Sequence, residues 1–96
     1  MPDLVIEYGT QEWNLVRFVF FNGDVQFRVA SINFTKGCIT RPYTGPCLNE
    51  DQVKVGPGYV FDTIADDFIL ETVCGEVTVE WTDKAAGQAW MRHHAH

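Results

Sequence analysis

The residues with the most chemistry per position lie in one short stretch, GCITRPYTGPC, residues 37–47. Cys38 and Cys47 flank it, and Arg41, Pro42 and Tyr43 stand between them. Two thiols at this spacing fit two states. A Cys38–Cys47 disulfide would close a loop of roughly ten residues and stabilise the fold by about 2–3 kcal/mol in the chain-entropy model. Pro42, Pro46 and the Tyr-Thr-Gly tip permit the chain reversal that such a bridge needs. The closed loop would present Arg41 and Tyr43, side-chain types favoured as interface anchors, with little entropy left to lose on binding. The other state is an ordinary loop with two partly buried thiols, as a reducing compartment would keep them. Glu50 and Asp51 follow directly, so the candidate binding surface spans 37–51 and consists of Arg41, Tyr43, Glu50 and Asp51.

Other reactive groups are scattered. Cys74 stands alone in an alternating apolar run and reads as a small core residue. No C-x-x-C spacing supports zinc. His93, His94 and His96 crowd the C-terminus, where consecutive helical positions point about 100° apart and do not share one metal well. Asp62, Asp66 and Asp67, with Glu50 and Asp51, offer hard oxygen ligands from two loops, so a calcium cup is the metal alternative. No nucleophile elbow, zinc-protease motif or glycine-rich phosphate loop occurs, and a Cys/His pair would depend on the terminal histidines. The expectation is a non-enzyme with no cofactor. Asn33-Phe34-Thr35 matches a glycosylation sequon, which matters only in a secreted chain.

Charge and composition narrow the partners. Thirteen acids against seven bases give a net charge of −6 over 96 residues. No basic stripe is present to grip a phosphate backbone, so nucleic acid is not expected. The apolar fraction of 46% is that of a folded domain rather than a disordered one. No apolar run reaches the length of a membrane-spanning helix. The N-terminus lacks the basic and apolar regions of a signal peptide, so the expected location is the cytoplasm, with a secreted mature form as the alternative.

The elements that position these residues read as successive short strands in one domain, residues 1–96, with a β core over 1–82. Leu4 to Tyr8 begins the series, and WNLVRFVFF, residues 13–21, is apolar on both faces. Asn22-Gly23 then predicts a type I′ hairpin. In the next run Val25, Phe27 and Val29 share one face, whereas Ile32 and Phe34 fall on the other parity. That slip predicts a bulge near Ala30-Ser31, or a strand crossing between layers. Residues 37–47 read as loop. Gly56-Pro57-Gly58 is a break between 52–55 and 59–64, where Tyr59 and Phe61 share a face. Phe68, Leu70, Thr72 and Cys74 read as the buried phase of the next strand. In the last one Val77, Val79 and Trp81 face in. Asp83 can cap a short helix over 83–96, docked through Trp90, with a frayed tail as the alternative. Gly87 weakens that helix by about 1 kcal/mol relative to Ala.

About seven strands joined by turns, with one long connection over 35–51, predict an all-β antiparallel fold, a small β-sandwich or Greek-key barrel. Aromatic residues are numerous for one small core, so a homodimer that covers some of them is expected. The runs VRFVFFNGDVQFRVASINFTKG, VGPGYVFDTI and CGEVTVEW resemble the strand order of aegerolysin-type β-sandwich proteins. This chain is shorter and lacks their glycine-rich stretch. The resemblance implies a lipid- or carbohydrate-binding sandwich. The residues themselves point first to a small acidic module that binds another protein, of inhibitor, immunity or assembly-subunit type. A metal-dependent protein using the loop carboxylates or the histidines is the third reading.

Overall fold

Asn22 and Gly23 form the turn that their residue types call for. Both have positive φ, 51° and 87°, and Phe21 pairs with Asp24 across them. The computed structural model describes residues 2–94. In chain order these form β1 (Val5–Glu7), a 3-10 helix (Gln11–Leu15), β2 (Val16–Phe21), β3 (Asp24–Gln26), β4 (Ser31–Asn33) and β5 (Cys38–Pro42). There follow β6 (Gln52–Val55), β7 (Tyr59–Asp62), β8 (Asp67–Phe68), β9 (Leu70–Cys74), β10 (Val77–Trp81) and α1 (Lys84–His94). The strands make three antiparallel sheets, ordered β1-β4-β5-β9, β10-β2-β3 and β6-β7-β8.

The first two sheets share a core. Ile6, Ile32, Ile39 and Val73 are register partners in a row across the first sheet, and the three isoleucines are fully buried. Val19, Phe21, Val77 and Val79 of the second sheet belong to the same apolar cluster as Ile32 and Ile39. The chain passes from one sheet to the other between β3 and β4. Arg28, at φ 59°, makes the bend. This crossing is what the change of apolar phase after Val29 anticipates.

Several expectations need correction. Ten strands are present among the described residues, rather than about seven. Part of the stretch read as a loop is β5, flanked by β4 and β9. Residues 13–15, the start of the stretch read as strand, belong instead to the 3-10 helix Gln11–Leu15. β3 stops at Gln26, so Phe27 is exposed while Val29 is buried. In 68–74 the buried phase is the opposite of the one expected: Val73 packs on the core, while Phe68, Leu70 and Cys74 are exposed.

The cysteine pairing differs from both expected states, the Cys38–Cys47 bridge and the reduced loop. Cys38 is bonded to Cys74, and Cys47 is free and exposed. The register explains the choice, because it sets Cys38 directly opposite Cys74 on β5 and β9. With β5 a strand, Cys47 lies beyond its end. Closing a span of 36 residues stabilises by about 4 kcal/mol in the chain-entropy model.

At the C-terminus the helix alternative holds through His94, while His96 lies outside the described residues. The Ala86 N–H donates to the Asp83 carboxylate at 3.2 Å, as an N-cap should. Trp90 meets Trp81 at 6.4 Å and Phe34 at 6.2 Å between ring centroids. Gly87 is buried, and a Cβ there would fall inside the Trp81 indole. The glycine is therefore a close-approach residue, not merely a weak helix former.

The third sheet stands apart from this core. The radius of gyration is 15.0 Å and the extents are 46 × 27 × 24 Å, whereas a compact chain of this length would have a radius near 12–13 Å. Three backbone hydrogen bonds fasten the sheet at one point. The Tyr43 N–H donates to Ile69, Ile69 to Val60, and Val60 back to Tyr43, at 2.9, 2.9 and 3.1 Å.

Candidate interaction face

Alternation along β6, β7 and β8 divides the third sheet into two unlike faces. The register pairs Val53 with Phe61, Val55 with Tyr59, and Phe61 with Phe68. These five side chains share one face, since partners across an antiparallel pair point the same way. Gln52, Lys54, Val60, Asp62 and Asp67 take the other.

That second face is covered. The loop 43–48 folds over it and is held by polar contacts. The Lys54 ammonium donates to the carbonyls of Thr44, Gly45 and Gly58. The Leu48 N–H donates to the buried Gln52 side chain at 2.7 Å, and Val60 is fully buried. The Tyr43 hydroxyl donates to the Pro46 carbonyl at 3.0 Å, folding the loop around its ring. Gly45 lies where any Cβ would meet that ring.

The first face has no such cover. Val53, Val55 and Phe68 are 44%, 40% and 41% exposed. Phe68 stands edge-on to Tyr59 and Phe61, with centroids at 6.3 and 5.2 Å. None of the five residues is charged. The apolar strip continues onto Leu70 and its register partner Pro42. Tyr8, Arg28, Pro42, Tyr59, Asp67, Phe68 and Leu70 line a cleft of ≈ 380 Å³ here. The Arg28 guanidinium lies 5.8 Å from the Tyr59 ring centre. Its left-handed backbone is a conformation that non-glycine residues seldom adopt.

The four residues singled out from sequence are not gathered on one surface. Arg41 turns inward and ties the first two sheets together. It donates to Glu71 at 3.0 Å and to Gln26 at 2.8 Å, and its guanidinium lies 5.8 Å from the centre of the Phe21 ring. Tyr43 is engaged by its own loop. Glu50 and Asp51 are exposed in the turn before β6. The Asp51 carbonyl accepts from both the N–H and the hydroxyl of Thr63, at 2.9 and 2.8 Å, so turns 48–51 and 63–66 are tied together at one end of the sheet. The sequence reading places Arg41 in a presented loop because it takes Cys38–Pro42 for loop, whereas this stretch is β5. The alternation of Val53/Val55 with Tyr59/Phe61 about Gly56-Pro57-Gly58 was the available signal for the open face. Arg28 had no sequence signal beyond the slip of phase next to it.

Asp62 shapes the turn that follows it. Its carboxylate accepts from the N–H groups of Ala65 and Ile64 at 3.0 and 2.9 Å. These bonds, Ala65's foremost, hold its pKa below the ordinary aspartate value. Asp3 is lowered likewise, first by the Asn33 amide and then by Lys36. Among the described residues, no three His, Cys, Asp or Glu side chains gather as a metal set would. The acids of the expected calcium cup therefore do not converge. No helix among the described residues is long and apolar enough to cross a membrane. Compared with protein-family models, with curated proteins and with solved structures, the chain gives no match.

Proposed function

We propose that this chain is a non-catalytic module that works by binding another protein through the open face of its third sheet. One observation carries the reading: on one face of β6, β7 and β8 Val53, Val55 and Phe68 are exposed beside half-buried Tyr59 and Phe61, while on the other Gln52 and Val60 are buried under the chain's own loop 43–48. A sheet with one satisfied and one bare apolar face is what remains when a partner is removed. The cleft beside it adds Tyr8 and Arg28 to Tyr59, residue types that concentrate binding energy at interfaces. Glu50 and Asp51, exposed in the turn that leads into the same sheet, add acidic groups near it, while Arg41 and Tyr43 are held within the fold. In this reading the two sheets that share the core are a small β-sandwich, and the third sheet is the appendage that docks.

The test places a photo-crosslinking phenylalanine analogue at position 68 and treats extracts of the source cells. The expected adduct is a polypeptide, lost in the Leu70→Asp variant. Adducts with lipid, or retention on liposomes or immobilised glycans with no protein adduct, would favour the lipid or carbohydrate alternative and overturn this one.

A further inference from the structure

We propose that the cleft is filled by turn 63–66 of a second copy of this chain, with Ile64 against Tyr8, Tyr59 and Phe68 and the Asp66 carboxylate against Arg28. This inference rests on the protein-binding reading above and names the partner.

The first support is an unmatched charge. Arg17, Lys36 and Arg41 each have a carboxylate within 4 Å, at Glu80, Asp3 and Glu71. Arg28, like Lys54, Lys84 and Arg92, has none among the described residues, and its guanidinium lies over the Tyr59 ring. An exposed guanidinium on an aromatic ring, in a cleft whose own carboxylate, Asp67, makes no ion pair with it, is complementary to an apolar segment that carries a carboxylate.

The second support is that the chain presents such a segment. Ile64 is the most exposed large apolar side chain described, at 77%. Asp66 follows two residues later and forms no ion pair among the described residues. The turn is held in shape by the Asp62 carboxylate and by Thr63 on Asp51. The knob is therefore organised before it binds, which lowers the entropy cost of docking.

The third support is adjacency. Turn 63–66 runs straight into Asp67 and Phe68, which line the cleft. Donor and acceptor lie side by side, so one two-fold axis lets each copy give its turn and receive the other's, and the assembly closes at two. Two chains of charge −6 repel at long range. A local pairing of opposite charges offsets that repulsion, and the Arg28–Asp66 contact supplies it twice.

The experiment is sedimentation velocity over a concentration series, on the parent chain, Arg28→Glu, Asp66→Arg, an equimolar mixture of those two, and Ile64→Ser. The parent should dimerise. Each single variant should weaken dimerisation at least tenfold, and the mixture should recover it, because the reversed charges then face each other at one site and the native pair forms at the other. Ile64→Ser alters a solvent-facing side chain, so its expected loss of dimer does not come from misfolding; thermal melting checks this. A parent that stays monomeric at every concentration, or variants that dimerise as it does, would overturn the proposal. A monomer whose position 68 still crosslinks to a polypeptide overturns only the second copy as partner. A monomer with no such adduct overturns the protein-binding reading as well.

Discussion

At the scale of single residues, position in the strand register decides what each reactive group can do. Cys38 bonds Cys74 because β5 and β9 place them opposite one another. Alkylation of the denatured, unreduced protein should therefore modify only Cys47, and reduction should add two further sites in mass spectrometry. A bridge that includes Cys47 would be the contrary result. Arg41 illustrates the same dependence. Its type suggested an interface anchor, yet its bonds to Glu71 and Gln26 make it a tie between two sheets. Arg41→Ala should destabilise the fold by about 2 kcal/mol in urea unfolding, the range of a charge-assisted hydrogen bond that is partly shielded, and should leave binding at the open face unchanged. Loss of binding without loss of stability would return Arg41 to the interface.

At the scale of elements, the turns and the last helix carry the clearest consequences. Exposed Gly→Ala changes in a helix gain roughly 1 kcal/mol. Gly87→Ala should instead lose about 1–3 kcal/mol, because the added methyl overpacks against Trp81; thermal melting reads the sign. Turn 62–66 responds to acid. Its Asp62 has a lower pKa folded than unfolded. Its contribution is therefore complete above the ordinary aspartate value and is lost as pH falls through the folded one. The Ile64 and Ala65 amide resonances should shift together over that acidic range, and in Asp62→Asn the titration should be absent. The hairpin at Asn22-Gly23 and the inward phase of β10 were legible in sequence because each depends on local chemistry, positive φ in one case and strict alternation in the other. The phase of 68–74 was not. Phe68, Leu70 and Cys74 look like core residues, and only the pairing with β5 shows that Val73 takes the inside place. The Cys38–Cys74 bond was hidden for the same reason, since it depends on long-range register.

At the scale of the whole molecule, one core serves two sheets and the third is attached by its backbone junction and a covering loop. Part of the aromatic surface read from the sequence lies on the bare face of β6, β7 and β8 with its cleft, and part, Phe18 and Phe27, on and beside the second sheet. Composition indicated that something must cover apolar surface, but the location depended on which of two alternating faces the loop 43–48 occupies. The most direct measurement is methyl NMR with a soluble paramagnetic agent, taken from dilute to concentrated protein. Val53, Val55 and Leu70 should lose their relaxation enhancement as concentration rises, while Val25, exposed on the second sheet, keeps its own. Enhancement that persists equally at all four residues to the highest concentration would contradict a second copy on this face.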